Sequence, residues 1–197
     1  NLASLQAMMS VEMLNDLRLV DIVVSNAENE QINPRSGLVP LQKDPVRLQD
    51  LRDRLDNGIR HKLLASQVSF TFETVMSSPD KVEFLHKAQQ AGYRTYLYFV
   101  ATEDAEINVA RVQYRVETGG HPVAEDKIRS RYVRSLELLP QAVAYADRAY
   151  IFDNSGSERV WIAEVTDGVE IEMKADEMPA WFKTALWDKF EPEDSAP

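Results

Sequence analysis

The sequence has no cysteine. Disulfides and thiolate metal sites are therefore excluded, and the composition fits a reducing compartment. Only three histidines occur, at 61, 86 and 121, and His121, with no cysteine and no second histidine near it, makes a poor zinc site. No apolar run approaches the length of a membrane span, and the opening NLASLQAMMSVEML lacks the basic region that starts a signal peptide. That opening also lacks an initiator Met, so the natural N-terminus is expected to lie elsewhere. Positive charge is scarce: 22 Lys and Arg against 32 Asp and Glu give a net charge of −10 and a pI near 4.8. Such a balance argues against nucleic acid or an anionic membrane as the main partner. At 197 residues, 44% hydrophobic and 27% charged, the chain is long enough for one soluble domain with a real core.

Against this acidic background one stretch stands out. Ile107 to Ser135, INVARVQYRVETGGHPVAEDKIRSRYVRS, carries six Lys/Arg and three Asp/Glu. Its pattern predicts helix, loop, helix. Arg111 and Arg115 are spaced i, i+4 on the first helix, and Lys127, Arg131 and Arg134 are spaced i, i+4, i+7 on the second. Gly119 and Gly120 end the first helix, and His121 and Pro122 fill the loop. Two basic faces joined by a glycine hinge point to a specific anionic ligand. The plainer alternative is a solvated, salt-bridged helical hairpin in which Arg115 pairs with Glu117 or Asp104 and Arg131 with Glu125 or Asp126.

The rest alternates strands and helices. A helix is expected over Leu2–Leu17, and VDIVV at Val20–Val24 reads as a buried strand. Asp44-Pro45 is a helix start, and the apolar face Leu48, Leu51, Leu55, Ile59, Leu63 carries that helix to about Ser66. SFTFET at Ser69–Thr74 alternates as a strand. Ser78-Pro79 opens another helix, with Val82, Leu85 and Ala88 on its apolar side and Gly92 at its end. YRTYLYFVA, Tyr93–Ala101, is the strongest strand. After the arginine hairpin, a break or bend is expected near Pro140, with helix resuming to Ala146. RAYIF, Arg148–Phe152, is a strand. Val160–Val165 and Val169–Met173 form a hairpin across Thr166-Asp167-Gly168, and Pro179–Phe190 is a short aromatic helix. The tail from 191 to 197 reads as disordered. This alternation predicts a three-layer α/β fold with a mainly parallel sheet, in which ligands bind beyond the carboxyl ends of the strands. Four polar clusters lie at such ends: Asn26-Ala27-Glu28, Glu73-Thr74, Thr102-Glu103-Asp104 and Asp153-Asn154-Ser155. Turn formation or helix capping is the plainer role for each.

SFTFETV (Ser69–Val75), AGYRTYLYFV (Ala91–Val100), NVARVQYRVETGGHPV (Asn108–Val123), IRSRYVRSL (Ile128–Leu136) and YIFDNS (Tyr150–Ser155) occur in an order and spacing that resembles the zeta-toxin-type P-loop kinases. The resemblance runs from about Asp21 to Ser155. It implies a single α/β/α kinase-like domain over residues 1–190, a lid over about residues 104–135, and a C-terminal β-hairpin. It also implies ATP and Mg²⁺ as cofactors and a small-molecule acceptor, a UDP-N-acetyl sugar in the toxin members. An antitoxin protein becomes a candidate partner and the cytoplasm the expected compartment.

Residue by residue, the resemblance makes Glu28 the acid that accepts the acceptor hydroxyl's proton, one methylene longer than the family's aspartate. It makes Asn26, Glu73 and Thr74 acceptor-binding residues and Arg115 and Arg131 the lid arginines that clamp phosphate. Arg111 and Arg134 are second candidates for that clamp, and Asn154 falls near the adenine. His121 is expected to shape the lid. Arginine suits phosphoryl transfer because its planar fork stays charged and donates bidentately. One departure concerns the phosphate cradle. The family carries G-x-x-x-x-G-K-[ST], whereas none of the seven glycines here precedes a lysine. The chain is thus expected to begin after the P-loop and its strand, a loss that would leave two unpaired strand edges inside the sheet. The alternatives are a catalytically inactive module that binds a nucleotide or nucleotide sugar, and an interaction protein whose arginines pair with a partner's acids.

Overall fold

The computed structural model describes residues 58–190 and, as backbone, the strand β1 (Val20–Ser25). The expected helix over Leu2–Leu17, the Asp44-Pro45 helix start, Asn26, Glu28 and the tail from 191 lie outside the described residues.

After a helical segment at residues 58–65, the elements in order are β2 (Phe70–Thr74), α1 (Pro79–Gln90), β3 (Arg94–Ala101), α2 (Ala105–Glu117), α3 (Glu125–Ala144), β4 (Arg148–Asp153), β5 (Val160–Thr166), β6 (Glu170–Met173) and α4 (Ala180–Ala185). A 3₁₀ turn at Trp187–Lys189 follows. Aromatic and β-branched residues make β3 the longest strand, as its composition predicts. Pro79 at the first turn starts α1, yet Ser78 does not cap the backbone; its hydroxyl bonds the Asp80 carboxylate instead. Asp104 caps α2 by accepting from the Glu106 N–H at 2.9 Å. The aromatic C-terminal helix is shorter than predicted. It stops at Ala185, Leu186 leaves helical geometry, and Trp181 and Phe182 are buried while Trp187 is exposed.

The fold is α/β, and its six-stranded sheet has the order β2-β1-β3-β4-β5-β6. The sheet is mixed rather than mainly parallel: among the described pairings only β3–β4 is parallel. The reason lies in the connections. A parallel pair needs a long crossover, which residues 102–147 supply between β3 and β4 through α2 and α3. Residues 154–159 and 167–169 are short links that permit only antiparallel neighbours. β1 lies between β2 and β3 and runs against both. β2, β3 and β4 therefore all point the same way, and the two edges expected to face each other unpaired are joined by β1. Backbone N–H and C=O groups in a sheet interior require that pairing.

One sheet face builds the core. Leu97, Phe99, Ala149, Ile151, Ala163 and Val165 pack against Leu85 and Ala88 of α1, Leu139 and Val143 of α3, and Trp181 and Phe182 of α4. On β3 and β4 the alternate residues Tyr98 and Tyr150 stack with centroids 4.8 Å apart, and Trp161 lies beyond Tyr150. α3 runs unbroken through Pro140 and ends at Ala144, where a bend and an end at Ala146 were predicted. Proline removes one N–H donor, but Leu139, Ala142 and Val143 on the same turns are fully buried and hold the helix on the core. At its C-terminal end Thr95 and Asp147 lock together: the Thr95 N–H and hydroxyl donate to the Asp147 carboxylate at 2.7 and 2.9 Å.

The C-terminal hairpin forms where Asp167-Gly168 predicts it. Both residues have positive φ, 51° and 70°, as a type I′ turn requires. Gly168 also rests on the end of α3, where an added Cβ would lie 2.8 Å from the Ala144 Cα.

Candidate functional site

The carboxyl ends of β3 and β4 are adjacent and in parallel register, Ala101 opposite Asp153. Two of the polar clusters singled out in the sequence therefore meet. Asp153 is buried at 9% exposure and its carboxylate organises the exit of β4. One oxygen accepts the Ser155 N–H at 2.8 Å; the other accepts the Ser155 hydroxyl at 2.9 Å and the Trp181 indole N–H at 2.6 Å. Ser155 in turn accepts the Glu103 N–H at 2.7 Å, and the Asn154 N–H reaches the Ala101 carbonyl at 2.8 Å. The turn after β4 and the turn after β3 are thus bonded into one surface.

The helical hairpin is fastened to that surface at two points. Arg111 of α2 donates to the Asn154 carbonyl at 2.7 Å and the Gly156 carbonyl at 3.4 Å. Tyr132 of α3 donates to the Thr102 carbonyl at 2.8 Å and the Glu103 carbonyl at 3.2 Å. Burial, reinforced by the charges of Glu103, Asp104 and Asp153, pushes the Tyr132 hydroxyl up to about 12. It therefore stays protonated and remains a donor at neutral pH. Buried Asn108 adds a bond from its amide to the Thr102 hydroxyl at 3.0 Å. The two helices are held to each other by Arg129, which bonds both carboxylate oxygens of Glu106 at 2.6 and 2.8 Å and reaches Glu125 at 3.0 Å. The hydrogen bond from Arg129 holds the Glu106 carboxyl below its usual range.

The predicted site residues separate into groups. Arg111 and Asn154 are brought into contact, with the Arg111 guanidinium on backbone carbonyls. Arg115 donates to the His121 carbonyl at 2.9 Å, within its own loop. Arg131, half-buried, and Arg134, exposed, form no hydrogen bond or ion pair with another described residue. Glu125, the acid that could have held Arg131, is taken by Arg129 and by the Gln113 amide at 3.0 Å. Glu73 and Thr74 are half-buried at the end of β2. The Thr74 hydroxyl accepts the Met76 N–H at 3.2 Å, a turn-forming role. His121 is exposed.

Tyr132, Arg129 and Trp181 were not singled out by sequence reasoning as site-forming. Tyr132 carried a signal, since it adjoins Arg131 inside the basic stretch. Asp153 stood in a polar cluster with no hint of its partner 28 residues away.

Phosphate would find cationic partners here in Arg131 and Arg134. Among the described residues no three His, Asp or Glu side chains gather. No described helix is long and apolar enough to cross a membrane.

A family model described as Zeta toxin matches residues 48–166. A relative from Haemophilus influenzae described as "Uncharacterized protein" is 30% identical over 110 residues, covering 54% of this chain and 79% of the relative. No solved structure matches the chain.

Proposed function

The chain belongs to the Zeta toxin family of P-loop kinase-like proteins, and from that premise we propose that it acts in ATP-dependent phosphorylation of a small molecule. The acceptor would be a hydroxyl of a nucleotide-sugar-like compound. Residues 1–190 form one kinase-like domain in this reading, with about residues 104–135 as its lid. The observation that carries it is the hairpin itself. Arg111 and Tyr132 fasten it to the carboxyl ends of β3 and β4, while Arg131 and Arg134 remain uncommitted to any described acid. A salt-bridged structural hairpin would have spent those arginines on neighbouring carboxylates.

ATP would supply the phosphoryl group. Arg131, with Arg115 and Arg134, would bind its phosphates and stabilise charge on the transferring oxygens. Glu73 and Thr74 would hold the acceptor, with Asn26, and Glu28 would take the hydroxyl proton. The family's antitoxin would be a protein partner, and the setting cytoplasmic. The test is transfer of labelled γ-phosphate by the full-length protein across a panel of nucleotide sugars. Arg131→Ala is expected to lower turnover about 10²-fold or more while nucleotide affinity falls less, because the charge it meets grows in the transition state. Arg131→Lys should recover part of the activity, since the charge remains and the fork is lost. Wild-type turnover in both Arg115→Ala and Arg131→Ala would end the lid reading.

The missing G-x-x-x-x-G-K-[ST] motif favours a second reading for these 197 residues, a module that binds a nucleotide or nucleotide sugar without transferring phosphate. A rise in melting temperature with nucleotide and no transfer would select it.

A further inference from the structure

Asp104, Asn108 and Arg111 are spaced i, i+4 and i+7, so they share one face of α2. That face lies on the turns after β3 and β4. Asp104 caps the helix there, buried Asn108 bonds the Thr102 hydroxyl at 3.0 Å, and Arg111 reaches across to the turn after β4. Arg111 therefore sits at the fixed base of the hairpin. One nitrogen of its guanidinium, Nη2, is shared by the Asn154 and Gly156 carbonyls at 2.7 and 3.4 Å. The turn it holds is also pinned from the sheet side. The Asn154 N–H donates to the Ala101 carbonyl at 2.8 Å, and the Ser155 N–H and hydroxyl donate to the Asp153 carboxylate at 2.8 and 2.9 Å. The Asn154 side chain is the part left over. It is half-buried, and its amide forms no hydrogen bond with another described residue. A backbone fixed on both sides that carries an unspent amide is organised to present one donor and one acceptor to a ligand.

We propose that Arg111 is a positioning residue for base recognition: it holds the Asn154–Gly156 turn so that the Asn154 amide meets the edge of an adenine. This role rests on the reading of the chain as an ATP-dependent kinase. It takes Arg111 out of the phosphate clamp, where the family resemblance makes it a second candidate. Adenine matches the amide because its N6–H donor lies beside the N7 acceptor, whereas guanine presents two acceptors, O6 and N7, on that edge. Arg111 touches the turn only through backbone carbonyls, so it sets where the amide stands without itself reading the base. Docking of the hairpin and completion of the base site then become one event, because the bond that fixes the turn also fixes the base of α2.

The experiment is calorimetry on the full-length protein with ATP, GTP and inorganic tripolyphosphate, which carries the phosphates without a base. The wild type is expected to bind ATP about tenfold or more tightly than GTP. Arg111→Ala should bind ATP about tenfold more weakly, lose the preference over GTP, and keep its tripolyphosphate affinity within about twofold. Asn154→Ala keeps the backbone carbonyl that Arg111 holds and should lose the same preference. The double variant should be no worse than Asn154→Ala alone, because both changes act through one amide. Amide hydrogen exchange at Asn154–Gly156 should accelerate in Arg111→Ala and not in Asn154→Ala. Equal loss of ATP and tripolyphosphate affinity in Arg111→Ala would make it a phosphate ligand and overturn the proposal. An unchanged preference in either single variant, or a wild type that binds ATP and GTP alike, overturns it too. Each of these results leaves the lid reading standing. Undiminished tripolyphosphate binding by Arg131→Ala ends the lid reading instead, with the ATP preference still deciding the role of Arg111. Absence of ATP binding by the wild type overturns both.

Discussion

Replacing Asp153 by alanine isolates the carboxylate that joins the site to the core. It removes an acceptor of three hydrogen bonds, from the Ser155 N–H, the Ser155 hydroxyl and the Trp181 indole. The three losses are unequal. Ser155 is half-buried, so water can replace the carboxylate for its two donors. Trp181 is 5% exposed and its N–H points inward, so that donor is stranded. A buried unsatisfied donor costs about 1–3 kcal/mol, and the lost bonds to a charged acceptor bring the total to about 2–4 kcal/mol. For a chain of this size each kcal/mol lowers the melting temperature by about 2–4 °C, so a fall of about 4–16 °C is expected. Urea unfolding should show a lower midpoint at an unchanged slope. Trp181→Phe gives the second half of the test, since it removes the donor and keeps most of the ring. It should cost less in the Asp153→Ala background than in the wild type, with a coupling of about 1–3 kcal/mol. A cost below about 0.5 kcal/mol for Asp153→Ala, or strictly additive effects, would refute the assignment of this carboxylate as the anchor.

Two further outcomes follow from the geometry. Gly168→Ala forces a Cβ to within 2.8 Å of the Ala144 Cα at a residue with φ +70°, so a loss of about 1–3 kcal/mol is expected in urea unfolding; a variant as stable as the wild type would refute the close approach. The Tyr132 hydroxyl, raised from its ordinary 10 to about 12 in the folded chain, keeps its proton more firmly there than when unfolded. Its contribution is therefore whole below pH 10 and declines as pH rises from about 10 to about 12. Tyr132→Phe should remove that part of the decline when the pH dependence of stability is compared with the wild type, and identical slopes would count against the buried hydroxyl.

The sequence determined by itself what depends on near neighbours. The aromatic and β-branched run of β3, the Asp104 cap, the proline start of α1 and the Asp167-Gly168 turn are each decided within a few residues, because local sterics and hydrogen bonding choose the conformation there. The paired glycines likewise announce the end of α2, and the i, i+4 arginines its basic face. Tertiary structure alone decided the partners. Nothing in VDIVVS states that β1 lies between β2 and β3 and opposes both, since strand periodicity encodes a face and not a neighbour or a direction. Pro140 breaks a helix by local rules and is carried through here because the turns around it are buried. The same division governs the site. Four arginines of one residue type, spaced alike along two helices, look equivalent in sequence. Folding commits Arg111 to the Asn154 carbonyl and Arg115 to the His121 carbonyl, and leaves Arg131 and Arg134 without a partner among the described residues. That choice is made by which backbone groups the chain brings within about 3 Å of each guanidinium, a distance fixed by strand register and helix packing rather than by spacing along the chain.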